Sequence, residues 1–227
     1  MKTLGYLGIL ALGLALANSS AVAEVMTRPA DGVTRVVFKT PGDLSIRVGA
    51  QEKLTVEAEP KVLGQLDISV KGDTLTLSSK GSFKTEKGLK YTLTIKSFRK
   101  LRSEGSGNSA VEGFAGNDID VEAAGSGDIS LKDVKPGRLQ IDIPGSGNVE
   151  AAGSGKSLLA RIDGAGNIDA VKFQAQVVEA RLDGSGNIRV HADESLKAAI
   201  SGAGNIEYKG KAKVTQSITG AGSVERL

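Results

Sequence analysis

The sequence predicts an all-β chain, in which an antiparallel β region leads into a right-handed parallel β-helix with coils of about 20 residues. Three observations carry this reading. G-x-G motifs begin at Gly105, Gly125, Gly145, Gly164, Gly184, Gly202 and Gly220, in steps of 20, 20, 19, 20, 18 and 18 residues. A fixed period of this length marks a solenoid, in which each repeat buries its apolar face only against its neighbours. Around each motif apolar residues alternate with polar ones, the period-two pattern of a strand with one buried face. The composition agrees: hydrophobic residues make up 40%, aromatics only 4%, and there is no Trp. An interior built from Val, Ile, Leu and Ala suits narrow, repetitive packing.

In chain order, residues 1–23 read as a secretory signal peptide. Lys2 supplies the positive start, Leu4 to Ala17 the apolar run, and Ala21-Val22-Ala23 the small-residue cleavage site. The run is short for a bilayer span, and no transmembrane segment is expected after cleavage. The mature chain is expected to be exported, most simply to a bacterial periplasm, with the cell surface or secretion as alternatives. There is no Cys, so no disulfide or thiol chemistry is available.

Residues 24–104 are expected to form an antiparallel β region that caps the solenoid. "VTRVVFKT", "DLSIRVG", "KLTVEAE", "LDISVKG", "TLTLSS" and "LKYTLTIK" each alternate as strands, and Gly72-Asp73 marks a hairpin. A solenoid needs such a cap because an open end exposes unpaired backbone groups. This region carries 15 Lys+Arg against 10 Asp+Glu, a net +5, whereas residues 105–227 carry 13 against 16, a net −3. Opposite signs point to two structural regions.

Residues 105–227 are the repeat. Each copy reads strand, glycine corner, strand. Before the corner lie Ile141 and Ile143, Ala160 and Ile162, or Ala180 and Leu182; after it lie Val149, Ile168 and Ile188. The predicted corner residues are Gly105, Gly107 and Asn108; Gly125, Gly127 and Asp128; Gly145, Gly147 and Asn148; Gly164, Gly166 and Asn167; Gly184, Gly186 and Asn187; and Gly202, Gly204 and Asn205. Glycine is expected there because it takes positive φ without strain. Asn tolerates the left-handed region, and stacked copies would form a hydrogen-bonded column. A second glycine at Gly113, Gly153 and Gly210 suggests a further corner, with polar connections such as "HADES" at 191–195.

The fold region, the repeated "GSGN" and "GAGN" and the export signal together resemble the bacterial head GIN domain family, also described as putative autotransporter adhesins of DUF2807 type. The resemblance covers roughly residues 33–224 and rests on "GSGNS", "GSGDI", "GSGNV", "GAGNI" and "GSGNI" at β-helix spacing. It implies an exported β-helix with an adhesion or surface role, and it supplies no catalytic residues.

Chemistry-bearing motifs resolve mostly to structural readings. "GSGKS" at 153–157 resembles a phosphate loop, but Glu150 stands where that motif needs its first glycine, and no helix follows. The G-x-G-[ND] corners resemble calcium β-rolls, yet the period is wrong and the slot is mostly neutral. Asp163 and Asp183 stack with Arg161 and Arg181 two residues earlier, which fits a solvated ion-pair lattice better than a glycosidase carboxylate pair. His191 is the only histidine and reads as an exposed loop residue. No catalytic residue, cofactor or metal site is expected.

The basic stretch is the functional lead. Lys84, Lys87, Lys90, Lys96, Arg99, Lys100 and Arg102 lie close together in sequence, interleaved with Phe83, Tyr91 and Phe98. Such a face suits an anionic envelope polymer; the alternative is an edge protected by lysines against aggregation. The expected function is a non-catalytic envelope or surface module that binds a polymer or a protein partner, with no native nucleic acid. Two alternatives stand beside it: a polysaccharide-acting β-helix enzyme, on fold analogy alone, and a structural protein that forms homo-oligomers through an open coil end.

Overall fold

The computed structural model describes residues 23–227. The signal-peptide reading of residues 1–23 lies outside the described residues, Ala23 apart. The N-terminal strands are β1 (Glu24–Pro29), β2 (Arg35–Phe38), β3 (Asp43–Val48), β4 (Lys53–Ala58), β5 (Leu66–Lys71), β6 (Thr74–Ser79), β7 (Lys90–Ile95) and β8 (Lys100–Ser103), with the short helix α1 (Pro60–Leu63) between β4 and β5. The repeat region continues with β9 (Asn108–Glu112), β10 (Ile119–Ala123), β11 (Ile129–Val134) and β12 (Arg138–Ile143). Three long bent strands follow, β13 (Val149–Ile162), β14 (Ile168–Leu182) and β15 (Ile188–Ile200), and then β16 (Ile206–Lys209), β17 (Lys213–Ile218) and β18 (Val224–Arg226).

These strands stack into two parallel ladders joined at glycine corners. On the side before the corner the order is β6, β2, β8, β10, β12, the second halves of β13, β14 and β15, and β17. On the side after it the order is β7, β3, β9, β11, the first halves of β13, β14 and β15, then β16 and β18. The antiparallel expectation for residues 24–104 holds for β1 on β4, β4 on β7 and β5 on β6. Lys71 pairs with Thr74, so Gly72-Asp73 is a two-residue hairpin turn, with Gly72 at φ +60°. In contrast β2, β3, β6, β7 and β8 pair in parallel, and the solenoid ladders run unbroken across position 104. Chain order and spatial order also part here: the β2–β3 coil is sandwiched between β6–β7 and β8–β9.

Inward-facing side chains fall in columns, one per coil. One column runs Leu101, Val121, Ile141, Ala160, Ala180 and Ala198. Another runs Val149, Ile168, Ile188 and Ile206, and nearly all of these residues are under 2% exposed. The aromatics cluster near the cap, where the Phe38 and Tyr91 rings meet edge-on at 5.6 Å. Burial pushes the Tyr91 hydroxyl up to about 12, and Thr40 Oγ1 donates to it at 3.0 Å.

Two buried hydroxyls, Ser103 and Ser109, flank the first corner and find no protein partner. Ser103 faces Ala123 in its column. Ser103→Ala is therefore expected to raise stability by about 1 kcal/mol, by removing an unpaired buried hydroxyl. Urea denaturation checks it, and a loss of stability would show that the hydroxyl is used.

The expectation that residues 191–195 form a loop is corrected. β15 runs continuously from Ile188 to Ile200, so His191 lies within a strand, its side chain 14% exposed and its Nε2 3.2 Å from Asp193 Oδ1. Likewise Gly153, at φ +146°, bends β13 without ending it. Parallel neighbours hold both sides of His191, Ser195 and Gly153, while register shifts leave Asp193 and Glu194 outside the ladder without ending the strand.

Candidate functional site

The expectation that the corner glycines take positive φ is corrected. Only Gly186 and Gly204 among the paired corner glycines adopt it, both at φ +140°. The common cause is close approach. A Cβ on Gly125 would overlap the Gly105 carbonyl oxygen, one on Gly145 that of Gly125, and one on Gly184 that of Gly164. The second glycines behave alike: Gly127 stacks on Gly107, Gly147 on Gly127 and Gly166 on Gly147. Backbone bonds hold the coils at this spacing, for example Ala165 N–H to Gly145 O at 2.9 Å and Ala203 N–H to Gly184 O at 2.9 Å.

The slot after each corner forms a continuous ladder. Asn108 Oδ1 accepts from Asp128 N–H at 3.0 Å, and Asp128 Oδ1 accepts from Asn148 N–H at 2.9 Å and Asn148 Nδ2 at 3.0 Å. Asn148 Oδ1 accepts from Asn167 N–H at 3.1 Å and Nδ2 at 2.9 Å, and Asn167 Oδ1 from Asn187 N–H at 3.0 Å. Asn187 then accepts from Asn205 N–H at 3.1 Å, and Asn205 from Ser223 N–H at 3.0 Å. Each side chain thus satisfies a backbone donor of the next coil that turns away at the corner.

The stack of corners extends further than the glycine motif. Asp43 lies in register with Asn108, and Lys90 with Asp43. The "TPGD" at 40–43 is therefore an eighth corner: a Cβ on Gly105 would press on Thr40 O, and one on Gly107 on Gly42 O. Its signal was available as apolar residues at the same offsets, Val36 and Phe38 before and Leu44 after. Beside the ladder, on the outer face, the small side chains Ser45, Thr92, Ala110 and Ser130 share one row and floor a shallow groove whose lining also includes Asp43, Lys90, Asp128, Glu150 and Asp169.

The basic stretch is divided by the fold. Lys84 and Lys87 lie in the exposed loop between β6 and β7, and Lys90 opens β7 at the corner edge. Glu59, just before α1, accepts the backbone N–H groups of Glu86 and Lys87 at 3.2 Å each and so anchors this loop. Lys96, Arg99 and Lys100 lie at the other end of β7, about 20 Å away along a six-residue strand. Lys96 pairs with Glu52 at 3.1 Å. Arg102 sits between Glu104 and Glu122, and Glu104 also meets Lys39 at 2.9 Å. Lys39 and then Arg102 hold the Glu104 carboxyl below the usual carboxylate range. No ion pair engages Lys80, Lys84 or Lys90 among the described residues.

The carboxylates of the first ladder are likewise neutralised. Arg161 Nε lies 2.9 Å from Asp163, and Arg181 binds Asp183, which also accepts from Ser201. Arg181 chiefly, with Ser201, holds Asp183 below its ordinary range. These side chains are substantially exposed and paired, a lattice rather than a poised acid and base. The "GSGKS" segment runs through the middle of β13, with no helix after it. Among the described residues no cluster of three or more potential metal ligands occurs, and no helix is long and apolar enough to cross a membrane.

A family model described as putative auto-transporter adhesin, head GIN domain, matches residues 33–212. Among solved structures, a putative adhesin from Bacteroides fragilis is similar, with 25% identity and a TM-score of 0.87 over 92% of this chain and 98% of that one. A putative lipid binding protein from Parabacteroides distasonis, at 24% identity and TM-score 0.71, covers 92% and 98% of the two chains. A putative adhesin from Parabacteroides merdae, at 20% identity and TM-score 0.69, covers 92% and 97%. Comparison with curated proteins finds no match.

Proposed function

Because the chain belongs to the head GIN domain family of putative auto-transporter adhesins, we propose that it is an exported, non-catalytic module that binds an anionic envelope polymer through the cationic loop at its capped end. The observation that carries this is the grouping of cations without ion pairs around one anchored loop; others of that kind, such as Lys132 and Lys172, lie apart on different coils. Lys96, Arg102, Arg138, Arg161 and Arg181 are committed to carboxylates, whereas Lys80, Lys84 and Lys90 stand exposed without an ion pair. Unpaired ammonium groups on an anchored loop form a positive field that a polyanion can neutralise. The adjoining groove carries Asp43, Asp128, Glu150 and Asp169, so anionic groups are restricted to its Lys90 end. The family's description as putative adhesins supports a binding rather than a catalytic role.

The test is saturable binding of lipopolysaccharide, an acidic polysaccharide and DNA to the protein and to its Lys84→Glu/Lys90→Glu variant. The variant is expected to bind the acidic polymer at least tenfold more weakly, with a shallower salt dependence. Equal binding by both proteins sinks the loop as the site. Product release in the same wells overturns the non-catalytic reading.

A further inference from the structure

The last coil departs from the others in its inward residues. The coil beneath it presents Leu196, Ala198, Ile200 and Ile206 inward, each no more than 1% exposed. In register above them stand Val214, Gln216, Ile218 and Val224, and Tyr208 is followed by Arg226. Two of the five inward positions have thus changed from apolar to an amide and a guanidinium. Arg226 Nη2 donates to Gly210 O at 2.8 Å, which folds the charge over the edge of the core. Lys211 and Lys213 lead into β17. Among the described residues β17 pairs only with β15, and β18 only with β16, which leaves their outer edges open.

An open parallel edge above an apolar core is a template for another coil of the same kind. Ile218 is 39% exposed and Leu227 54%, so the apolar attraction is present. A second copy arriving end to end would have to bury the Gln216 amide without a partner and the Arg226 guanidinium with the Gly210 carbonyl alone, and would bring like charges together, all of which oppose the apolar contact. We infer that the last coil is a built-in stop, in which Gln216 and Arg226 keep the solenoid ends of two copies from joining. The inference rests on what these residues are, whatever follows Leu227, and is independent of the polymer site at the other end.

The test restores the residue types of the coils below. The Gln216→Ala/Arg226→Val variant is expected to sediment as concentration-dependent dimers where the parent stays monomeric. The protein has no cysteine, so Ser217→Cys on the β17 edge provides a second readout. Oxidation should yield end-to-end disulfide dimers in the double variant at least tenfold faster than in the parent. If the double variant does not fold, either single variant carries the same test. The idea is overturned if the parent self-associates through this edge as readily, or if the folded variants stay monomeric and uncrosslinked.

Discussion

Gly164→Ala is expected to cost more than about 4 kcal/mol, or to prevent the chain from reaching its folded state. The added Cβ would overlap the Gly145 carbonyl oxygen and lie 2.7 Å from Pro144 O. Neither obstacle can rotate away, because both are backbone. The coil cannot lift either, since Gly164 N–H is held to Ile143 O at 2.9 Å and Ala165 N–H to Gly145 O at 2.9 Å. Moving the corner by the needed distance breaks ladder bonds on both sides of it. Gly81→Ala is the control: nothing lies within 4 Å of its Cβ position, and its φ is ordinary. That variant should stay within about 0.5 kcal/mol of the parent. Urea denaturation of the three proteins decides the matter, and a Gly164→Ala loss below about 1 kcal/mol would falsify the stacking account.

The same residues show what a sequence can and cannot convey. Periodic glycines and alternating apolar positions made the solenoid, its coil length and its buried columns legible, because each follows from strand geometry and repetition. The reason for the glycines was not legible. Conformational freedom and steric clearance both select glycine, and only the carbonyl of the coil below distinguishes them. The position of the β2–β3 coil was hidden because its corner reads Thr40-Pro41-Gly42-Asp43 and because the chain leaves it for β4 to β7 before returning. Periodicity says which residues face inward; it does not say in which order coils stack.

Candidate site residues were legible to a lesser degree. Lys84 through Arg102 are neighbours in sequence, but a strand intervenes, so Lys90 and Lys96 mark opposite ends of β7. Pairing partners such as Glu52 for Lys96 and Glu122 for Arg102 come from 44 and 20 residues away. A charge stretch read along the chain therefore overstates the cationic face, and the cations outside the ion pairs fall into separate groups, Lys84 and Lys90 at the start of β7 and Arg99 and Lys100 beyond its end. The residues that close the last coil, Gln216 and Arg226, give no motif at all. They become meaningful only once register places them over Ala198 and Tyr208.

The ladder yields a prediction with a pH signature. Asn148→Asp keeps the acceptor for Asn167 but replaces the Nδ2 donor, now 3.0 Å from Asp128 Oδ1, with a second carboxylate oxygen. Two unit charges about 3 Å apart repel by about 1–5 kcal/mol between water-like and protein-surface dielectric. The site is exposed, so a loss of about 2 kcal/mol at pH 7 is expected. The new pair must share a raised folded-state pKa, because each charge disfavours the other. The penalty therefore exists above that pKa and fades as pH falls, when a shared proton restores a hydrogen bond. Asn148→Ala loses its bonds at every pH and should show no such recovery. The parent also weakens in acid, since Glu104 and Asp183 are held below their ordinary range by Lys39 and Arg181; their contribution is present above the unfolded carboxylate pKa and is lost as pH falls through the lowered one. The informative quantity is thus the difference from the parent, measured by urea denaturation at pH 7 and near pH 4. A difference that does not shrink in acid would mean that Asp128 and position 148 do not stack in solution, and with it the ladder would lose its role in setting coil register.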